Sequence, residues 1–191
     1  MNIAILLLAA GRSQRFICSP REHKLTVDLH NHPLFSYTLA QAISSGLDTY
    51  VISQPEHAAV HALVSPSQLI TYPSKGIGES IAQAVRVTAH YQGWLIALGD
   101  MPLIQATTYQ AVAQQLTTSP IVRPVINGHY GHPVGFQRRF YHDLVALQGD
   151  QGARTLLAKF PAYPLSLTDQ GCLIDIYTVE DLQRIKPLFS I

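Results

Sequence analysis

Charged residues are scarce in this chain, and neither sign dominates. They make up 13% of the 191 residues, with thirteen Lys and Arg against twelve Asp and Glu. Proteins that bind nucleic acid or an anionic membrane surface usually carry a basic excess, because contacts with phosphates supply much of their affinity. The charge balance therefore predicts small-molecule partners, with no binding to nucleic acid or membranes.

Cysteine is also rare. Cys18 and Cys172 are the only two in the chain, and they form no Cys-x-x-Cys pair. Two cysteines alone cannot build the disulfide framework of a small secreted protein, so we expect a protein of the reducing cytoplasm. Both thiols are then expected to be ordinary apolar side chains.

Long hydrophobic runs are missing as well. No stretch approaches the roughly 20 apolar residues that a membrane-spanning helix needs. The opening run "IAILLL" has no Lys or Arg before it, and the first basic residue, Arg12, follows it. Because this order is the reverse of a secretion signal, we interpret the run as a buried strand.

Short apolar runs alternate with amphipathic stretches through the first two thirds of the chain. Runs that are apolar at every position indicate strands with helices on both sides. This alternation predicts an α/β fold with a mostly parallel sheet flanked by helices, in a single domain over residues 1–191. The predicted strands are 2–8, 49–53, 68–73 and 93–98, and the predicted helices are 34–46, 58–64, 78–91 and 107–116.

The pattern changes after residue 120. Asn127-Gly128 lies between two β-like runs, which predicts a small antiparallel hairpin insertion at one edge of the sheet. We expect Thr107 to be the N-cap of its helix, and Thr178 with Asp181 resembles a capping box. The remaining predicted elements are helices at 138–148, 153–160 and 178–189 and a last strand at 172–176.

Candidate site residues follow the predicted parallel strands, where open α/β sheets bind their ligands. After the first strand comes "AAGRSQR", whose small residues let backbone N–H groups approach an anion, while Arg15 and a later Lys24 supply positive charge. Asp100, directly after an apolar strand, is either a Mg²⁺ ligand or a structural partner of a loop amide. Together these residues indicate a bound nucleoside triphosphate with Mg²⁺.

Two other motifs predict less. "GIG" lacks the third glycine of a dinucleotide-binding fingerprint and does not follow the first strand. His129 and His132 stand three residues apart in a glycine-containing turn, with no cysteine or third ligand nearby to complete a zinc site. We therefore expect neither a nicotinamide cofactor nor zinc.

Five segments resemble the MobA-like nucleotidyltransferases, and within that family they are most similar to the molybdenum cofactor cytidylyltransferases. In chain order these segments are "LAAGRSQRF", "GIGES", "LGDMPLI", "YGHPVGF" and "GDQGARTLL". The resemblance implies a Rossmann-like nucleotidyltransferase fold and a Mg²⁺-dependent transfer of CMP from CTP to a molybdopterin-type cofactor, with release of pyrophosphate. A molybdoenzyme or its maturation chaperone is the implied protein partner.

The resemblance also implies roles for individual residues. Arg15, Lys24 and Asp100 would be catalytic, with Asp100 and Asp175 as metal ligands. Ala10 favours CTP, since members with Ala-Ala-Gly at this point tend to use CTP and those with Ala-Gly-Gly tend to use GTP. The other matched positions are Leu8, Ala9, Ala10, Gly11, Arg12, Ser13, Gly76, Gly78 and Ser80 for the nucleotide, and Gly131, His132 and Pro133 for the acceptor.

The chain departs from the family pattern in two places. The usual Arg-Met-Gly-x-x-Lys is replaced by Arg15 followed by "FICSPREHK", so either Lys24 reaches the triphosphate through a longer loop or Arg21 substitutes for it. Near the C-terminus Tyr177 replaces an Asp, which leaves Asp175 as the candidate ligand. Two alternatives follow: transfer to another phosphorylated metabolite, and a non-catalytic relative that delivers a bound nucleotide or cofactor to an apo-enzyme.

Overall fold

The computed structural model describes residues 1–11 and 23–189, and its centre is an eight-stranded sheet. The strand order is β10-β7-β9-β6-β1-β4-β5, with β8 paired to β7, while β2 and β3 form a separate small hairpin. The strands are β1 Ile3–Leu8, β2 Asp28–Leu29, β3 His32–Pro33, β4 Asp48–Ser53, β5 Leu69–Thr71, β6 Gly93–Leu98, β7 Ile121–Ile126, β8 His129–Tyr130, β9 Val134–Gln137 and β10 Tyr163–Ser166.

Helices cover both faces of this sheet. Short 3-10 helices occur at Lys24–Thr26, Pro66–Gln68, Arg138–Phe140, Gln170–Leu173 and Lys186–Phe189. No helix in the described parts of the chain is long and apolar enough to cross a membrane. The α-helices are α1 Leu34–Ser44, α2 Ala58–His61, α3 Ile77–Val87, α4 Ala106–Leu116, α5 Tyr141–Val145, α6 Arg154–Lys159 and α7 Val179–Ile185.

Strand β1 explains why the core has two halves. It runs parallel to β4 on one side and β6 on the other, and all six of its residues are buried. Successive side chains of a strand point to opposite faces, so Ile3, Ile5 and Leu7 join one apolar cluster and the residues between them join the other. The prediction of an α/β fold with a mostly parallel sheet flanked by helices is confirmed.

The predicted hairpin at Asn127-Gly128 is also confirmed. Strands β7 and β8 pair antiparallel around these two residues, whose φ angles of 50° and 82° are the positive values that a type I′ turn needs. A second antiparallel hairpin joins β2 to β3 through His30 and Asn31, which also have positive φ angles. Strand β9 lies antiparallel between β6 and β7, so this side of the sheet is mixed.

The prediction that Thr107 caps α4 is wrong. The helix begins at Ala106, and the residue before it makes no side-chain cap. Instead the carboxylate of Asp169 accepts a hydrogen bond from the backbone N–H of Gln105 at 2.9 Å and another from the hydroxyl of Thr108 at 2.6 Å. A residue distant in sequence therefore accepts the hydrogen bonds of the donors at the start of α4, and local spacing could not reveal it.

The predicted strand at 172–176 is wrong too. Residues Gln170–Leu173 form a 3-10 helix that crosses the loop after β6 so closely that a Cβ on Gly171 would lie 2.2 Å from the carbonyl oxygen of Leu103. Cys172 and Ile176 are fully buried, which accounts for the apolar pattern without a strand. Strand β10 takes the edge position beside β7 instead. The capping box of Thr178 and Asp181 at α7 is confirmed.

Candidate active site

The candidate site lies at the carboxyl edge of the sheet, where β1, β4 and β6 end side by side. Leu8 is aligned with Leu98 across β1 and β6, and the N–H of Gly99 donates to the carbonyl of Leu8 at 3.0 Å. The N–H of Ala9 donates to the carbonyl of Ile52 at 2.8 Å, which fixes the exit of β1 against β4. The segments that start with Ala9 and Gly99 therefore leave the sheet at the same point, as expected from the strand pattern.

Asp100 and Lys24 form an ion pair at this edge. The distance from Lys24 Nζ to Asp100 Oδ2 is 2.5 Å, and the two side chains are only 12% and 16% exposed. Asp100 Oδ1 is buried and has no hydrogen-bond partner among the described residues. A buried carboxylate oxygen without a donor is costly, and a bound cation would satisfy it. Lys24 thus reaches the edge although its spacing from Gly11 in sequence is longer than in the family pattern.

Asp175 approaches the same carboxylate from the last third of the chain. The N–H of Ile176 donates to the carbonyl of Asp100 at 3.0 Å, which holds the two segments together. Burial raises the pKa of Asp175, and the negative charge of Asp100 raises it further. A hydrogen bond with Tyr177 and the positive charge of Lys24 act in the opposite direction. The ring of Tyr177 lies 5.3 Å from Lys24 Nζ.

These carboxylates do not complete a metal site by themselves. Within residues 1–11 and 23–189 no group of three or more His, Cys, Asp or Glu side chains is arranged to hold a metal ion. Mg²⁺, however, often takes only one or two protein carboxylates and fills its shell with water and substrate phosphates. Asp100, with its unpaired buried oxygen, and the nearby Asp175 fit an ion of that kind.

A buried polar network holds the start of the glycine loop. The side-chain amide of Gln54 donates to the carbonyl of Ala10 at 3.2 Å and to the carbonyl of Ser74 at 2.7 Å. Ser74 Oγ in turn accepts from the hydroxyl of Ser80 at 2.8 Å. Gln54 directly follows β4, so its position at a strand end was the one signal in the sequence that could have identified it.

Two predicted nucleotide-binding glycines have packing roles. A Cβ on Gly76 would lie 2.4 Å from the carbonyl oxygen of Gly149, and one on Gly78 would lie 2.6 Å from that of Gln148. The N–H of Gly78 also donates to Gly149 at 2.8 Å. The start of α3 therefore packs directly on the loop at 148–150. By contrast, a Cβ on Gly11 would meet no atom of residues 1–11 and 23–189 within 4 Å.

The segment with Gly131, His132 and Pro133 reaches the site from β9. Strand β9 begins with Val134 opposite Ile96 of β6, so the three preceding residues lie towards the carboxyl end of β6. The His132-Pro133 peptide bond is cis, the N–H of His132 donates to the carbonyl of Cys172 at 3.0 Å, and a Cβ on Gly131 would lie 2.5 Å from the same oxygen.

His132 is kept neutral in this position. Burial lowers its pKa to about 4, and the positive charge of Arg123 contributes in the same direction. Its Nδ1 is buried without a hydrogen-bond partner in the described part of the chain. Arg123 holds the segment in place, because its Nε donates to the carbonyl of Gly131 at 3.0 Å and its guanidinium lies 5.1 Å from the ring of Tyr130.

The structure thus brings together residues from the whole length of the chain. Sequence reasoning missed Gln54, Arg123 and His23, which contact the predicted residues without belonging to their motifs. The predicted residues that lie outside the described part of the chain are Arg12, Ser13, Arg15 and the alternative Arg21. Those that the structure places at or beside the carboxyl edge are Leu8, Ala9, Ala10, Gly11, Lys24, Gly76, Gly78, Ser80, Asp100, Gly131, His132, Pro133 and Asp175.

Comparison with known protein families identifies the family of this chain. A family model described as the MobA-like NTP transferase domain matches residues 5–164. A search of curated protein sequences gives no match.

Several solved structures share the fold at low sequence identity. Rv0371c of Mycobacterium tuberculosis is 24% identical over all of both chains, with a TM-score of 0.85. Its complex with manganese aligns with a TM-score of 0.80, at 22% identity over 98% of this chain and 99% of that one. A nucleotidyl transferase of Methanothermobacter thermautotroptrophicus is 20% identical over 98% and 97% of the two chains (TM-score 0.80). Molybdopterin-guanine dinucleotide biosynthesis protein A of Archaeoglobus fulgidus is 16% identical over 97% of each (TM-score 0.73).

Proposed function

Because the chain belongs to the MobA-like NTP transferase family and is a nucleotidyltransferase, we propose that it transfers CMP from CTP to a molybdopterin-type cofactor in the presence of Mg²⁺. The observation that carries this proposal is the state of Asp100: one oxygen is paired with Lys24, and the other is buried and unpaired. That arrangement suits a carboxylate that binds a cation next to a triphosphate. A cytoplasmic location, and delivery to a molybdoenzyme or its chaperone, are parts of the same proposal.

The reaction needs alignment more than covalent chemistry. A phosphate oxygen of the acceptor attacks the α-phosphorus of CTP, the bond from that phosphorus to the bridging oxygen breaks, and pyrophosphate leaves with the bond electrons. The backbone of Ala9, Ala10 and Gly11 would hold the triphosphate, and the charge of Lys24 would offset the negative charge that develops on the leaving group. Bound Mg²⁺, held by Asp100 and Asp175, would supply further charge neutralisation.

Arg12, Ser13 and Arg15 complete the triphosphate contacts in this proposal, while Gly76, Gly78 and Ser80 line the side of the base and ribose. The two glycines act here mainly by letting α3 pack against 148–150, which sets the position of the helix start. Ala10 contributes to base choice. It is buried, and its carbonyl is fixed by Gln54, so a change of side chain there acts on a rigid segment.

The acceptor is proposed to bind at Gly131, His132 and Pro133. Neutral His132 would pair its unsatisfied Nδ1 with a polar group of the acceptor, since a buried ring nitrogen without a partner is unfavourable. Arg123, half-buried beside this segment, adds positive charge that suits a phosphorylated acceptor.

The direct test is pyrophosphate release. The full chain would be incubated with CTP or GTP, with Mg²⁺ or Mn²⁺ or after chelation, and with or without molybdopterin-type cofactor. We expect release with CTP that needs both cation and acceptor, and Ala10→Gly should raise the rate with GTP relative to CTP.

Other outcomes identify the alternatives. Equal release with CTP and GTP would contradict the proposed base choice. Release of pyrophosphate only with a different phosphorylated metabolite would move the protein to another acceptor. Tight nucleotide or cofactor binding without any pyrophosphate release, under every condition, would identify a non-catalytic carrier.

A further inference from the structure

His23 joins the two sides of the segment 12–22. Its Nε2 lies 2.8 Å from the carbonyl oxygen of Gly11, the residue before that segment. Its Nδ1 accepts a hydrogen bond from the backbone N–H of Leu25 at 3.3 Å and thereby caps the 3-10 helix Lys24–Thr26. One imidazole ring therefore connects the end of the glycine loop to the turn that carries Lys24.

These two hydrogen bonds specify the protonation state of the ring. The Gly11 carbonyl can only accept, so Nε2 must carry the hydrogen, and the Leu25 N–H can only donate, so Nδ1 must have its lone pair available. Only the neutral imidazole with hydrogen on Nε2 satisfies both bonds. A proton added to Nδ1 would face the Leu25 N–H and break the cap.

The capped turn fixes the direction of the Lys24 side chain. Leu25 is 4% exposed and belongs to the apolar core, while the N–H of Thr26 donates to the carbonyl of His23 at 2.8 Å. Lys24 lies between His23 and Leu25, which these contacts hold in place, and its Nζ lies 2.5 Å from Asp100 Oδ2. Eleven residues separate Gly11 from His23 in sequence, and a contact between two residues at that spacing restricts the conformations open to both of them.

We propose that neutral His23 is a positioning residue, which ties Gly11 to the Lys24 turn and so holds the Lys24 ammonium at Asp100; protonation of the ring releases this tie and slows nucleotidyl transfer. The effect on transfer rests on the proposed function, whereas the tie itself does not. His23 would thus serve the role that the shorter spacing between loop and lysine serves in the family pattern.

The groups around His23 favour its neutral form. The centroids of the His57 and His23 rings lie 4.2 Å apart. Burial lowers the pKa of His57, while the nearby charge of Glu56 raises it and that of His61 lowers it. Burial lowers the pKa of His23 below the usual 6.5, the Gly11 bond opposes this, and the positive charges of His57 and Lys24 lower it further. Because the pKa is lowered, the tie is intact at neutral pH and is lost only as the pH falls below 6.5.

The first test measures the tie without any enzyme assay. The chain has four lysines, Lys24, Lys75, Lys159 and Lys186, so limited acetylation with acetic anhydride at about pH 8, read by mass spectrometry, gives Lys24 reactivity against three internal references. His23→Asn keeps an acceptor near Nδ1 but cannot reach Gly11, and we expect Lys24 to react about fivefold faster in it. His23→Gln, with its amide nearer the Nε2 position, should show a smaller increase.

The control is His90→Gln, which replaces an exposed histidine between α3 and β6, at the other end of the sheet. It should leave Lys24 reactivity unchanged. Circular dichroism checks that each variant is folded, and His23→Gln serves as the test if His23→Asn does not fold. Equal Lys24 reactivity in the unmodified protein and the folded His23 variants would overturn the proposal.

The second test concerns the ring and the rate. Nitrogen-15 NMR of the imidazoles should show hydrogen on Nε2 of His23 at neutral pH, and hydrogen on Nδ1 would overturn the proposal. The ratio of unmodified to His23→Asn transfer rates should be about tenfold near neutral pH and approach one in acid, whereas a ratio constant with pH would mean general damage. If the unmodified protein releases no pyrophosphate, the proposed function fails. The Lys24 reactivity and the NMR results would still show whether His23 connects Gly11 to the Lys24 turn.

Discussion

The two edges of the sheet differ in how completely their buried polar groups are paired. At the amino edge, where β4 and β6 begin, the hydroxyl of Tyr91 donates to Asp48 at 2.7 Å and lies 3.1 Å from the hydroxyl of Tyr50. Arg138 there donates to the carbonyls of Ala89 and Tyr91. At the carboxyl edge, Asp100 Oδ1 and His132 Nδ1 are buried without partners among the described residues.

This difference suggests separate roles for the polar groups of the two edges. Buried polar groups in proteins nearly always have partners, and in the proposed function the cation and the acceptor would supply them for Asp100 and His132. The paired network at the amino edge belongs to no part of the proposed site, so its expected contribution is to stability. Variants of the two edges should therefore fail in different assays.

The largest expected effect comes from Asp100→Asn. It keeps the shape of the side chain and removes the charge that would hold the cation, so the rate of pyrophosphate release should fall at least about a hundredfold while the circular dichroism spectrum is retained. Asp48→Asn, the matched change at the amino edge, should leave the rate within about twofold and cost about 1 kcal/mol of unfolding free energy. An active Asp100→Asn protein would remove Asp100 from the catalytic role.

Replacing two glycines of the carboxyl edge by alanine should distinguish a tightly packed position from an open one. Gly131→Ala would place its Cβ 2.5 Å from the backbone oxygen of Cys172, so we expect a loss of about 2–4 kcal/mol in unfolding free energy, measured with urea. The added Cβ of Gly11→Ala meets no atom of the described residues within 4 Å, so the unfolding free energy should change by less than about 0.5 kcal/mol. Equal losses in both variants would contradict the packing described here.

His132 should make stability depend on pH. Its pKa is lowered to about 4 by burial, from an ordinary value of 6.5, so the unfolded chain binds a proton at a pH where the folded chain does not. The unfolding free energy should therefore fall as the pH drops from 6.5, by on the order of 2 kcal/mol at about pH 5. Urea titrations of His132→Gln should show a weaker dependence over this range; an identical slope would assign the effect to other groups.

The smallest effects are expected from two Tyr→Phe changes. Tyr91→Phe removes a hydroxyl that is paired at the amino edge and should cost about 1 kcal/mol. Tyr109→Phe removes a fully buried hydroxyl that has no partner among the described residues, so stability should be equal or slightly higher. Thermal unfolding compares the two, and a clear loss of stability in Tyr109→Phe would show that its hydroxyl has a partner after all.

The carboxyl edge itself was predictable from sequence. The apolar run of β1 and the apolar run before Asp100 indicate parallel buried strands, and parallel strands bring their ends to one edge. Asn127-Gly128 likewise specified its turn, because positive φ angles at both positions favour those two residues. Periodicity and turn chemistry act within a few residues, and such features can be read locally.

Long-range contacts could not be predicted in this way. Asp169 caps α4 from more than sixty residues away, and no local pattern marks it. The apolar residues near Cys172 resemble a strand because burial against a loop and burial in a sheet leave the same composition. His23 was overlooked since its value lies in two hydrogen bonds that only the folded chain brings together.

The segment from Asp169 to Ile176 has a consequence for the smallest working fragment of this protein. It caps α4 through Asp169, lies against the loop after β6 at Gly171, receives His132 at Cys172 and reaches Asp100 at Ile176. The last strand ends earlier, at Ser166. A truncated chain that stops there would keep all the strands described above, yet Asp100 and His132 would lose their backbone hydrogen bonds with Ile176 and Cys172.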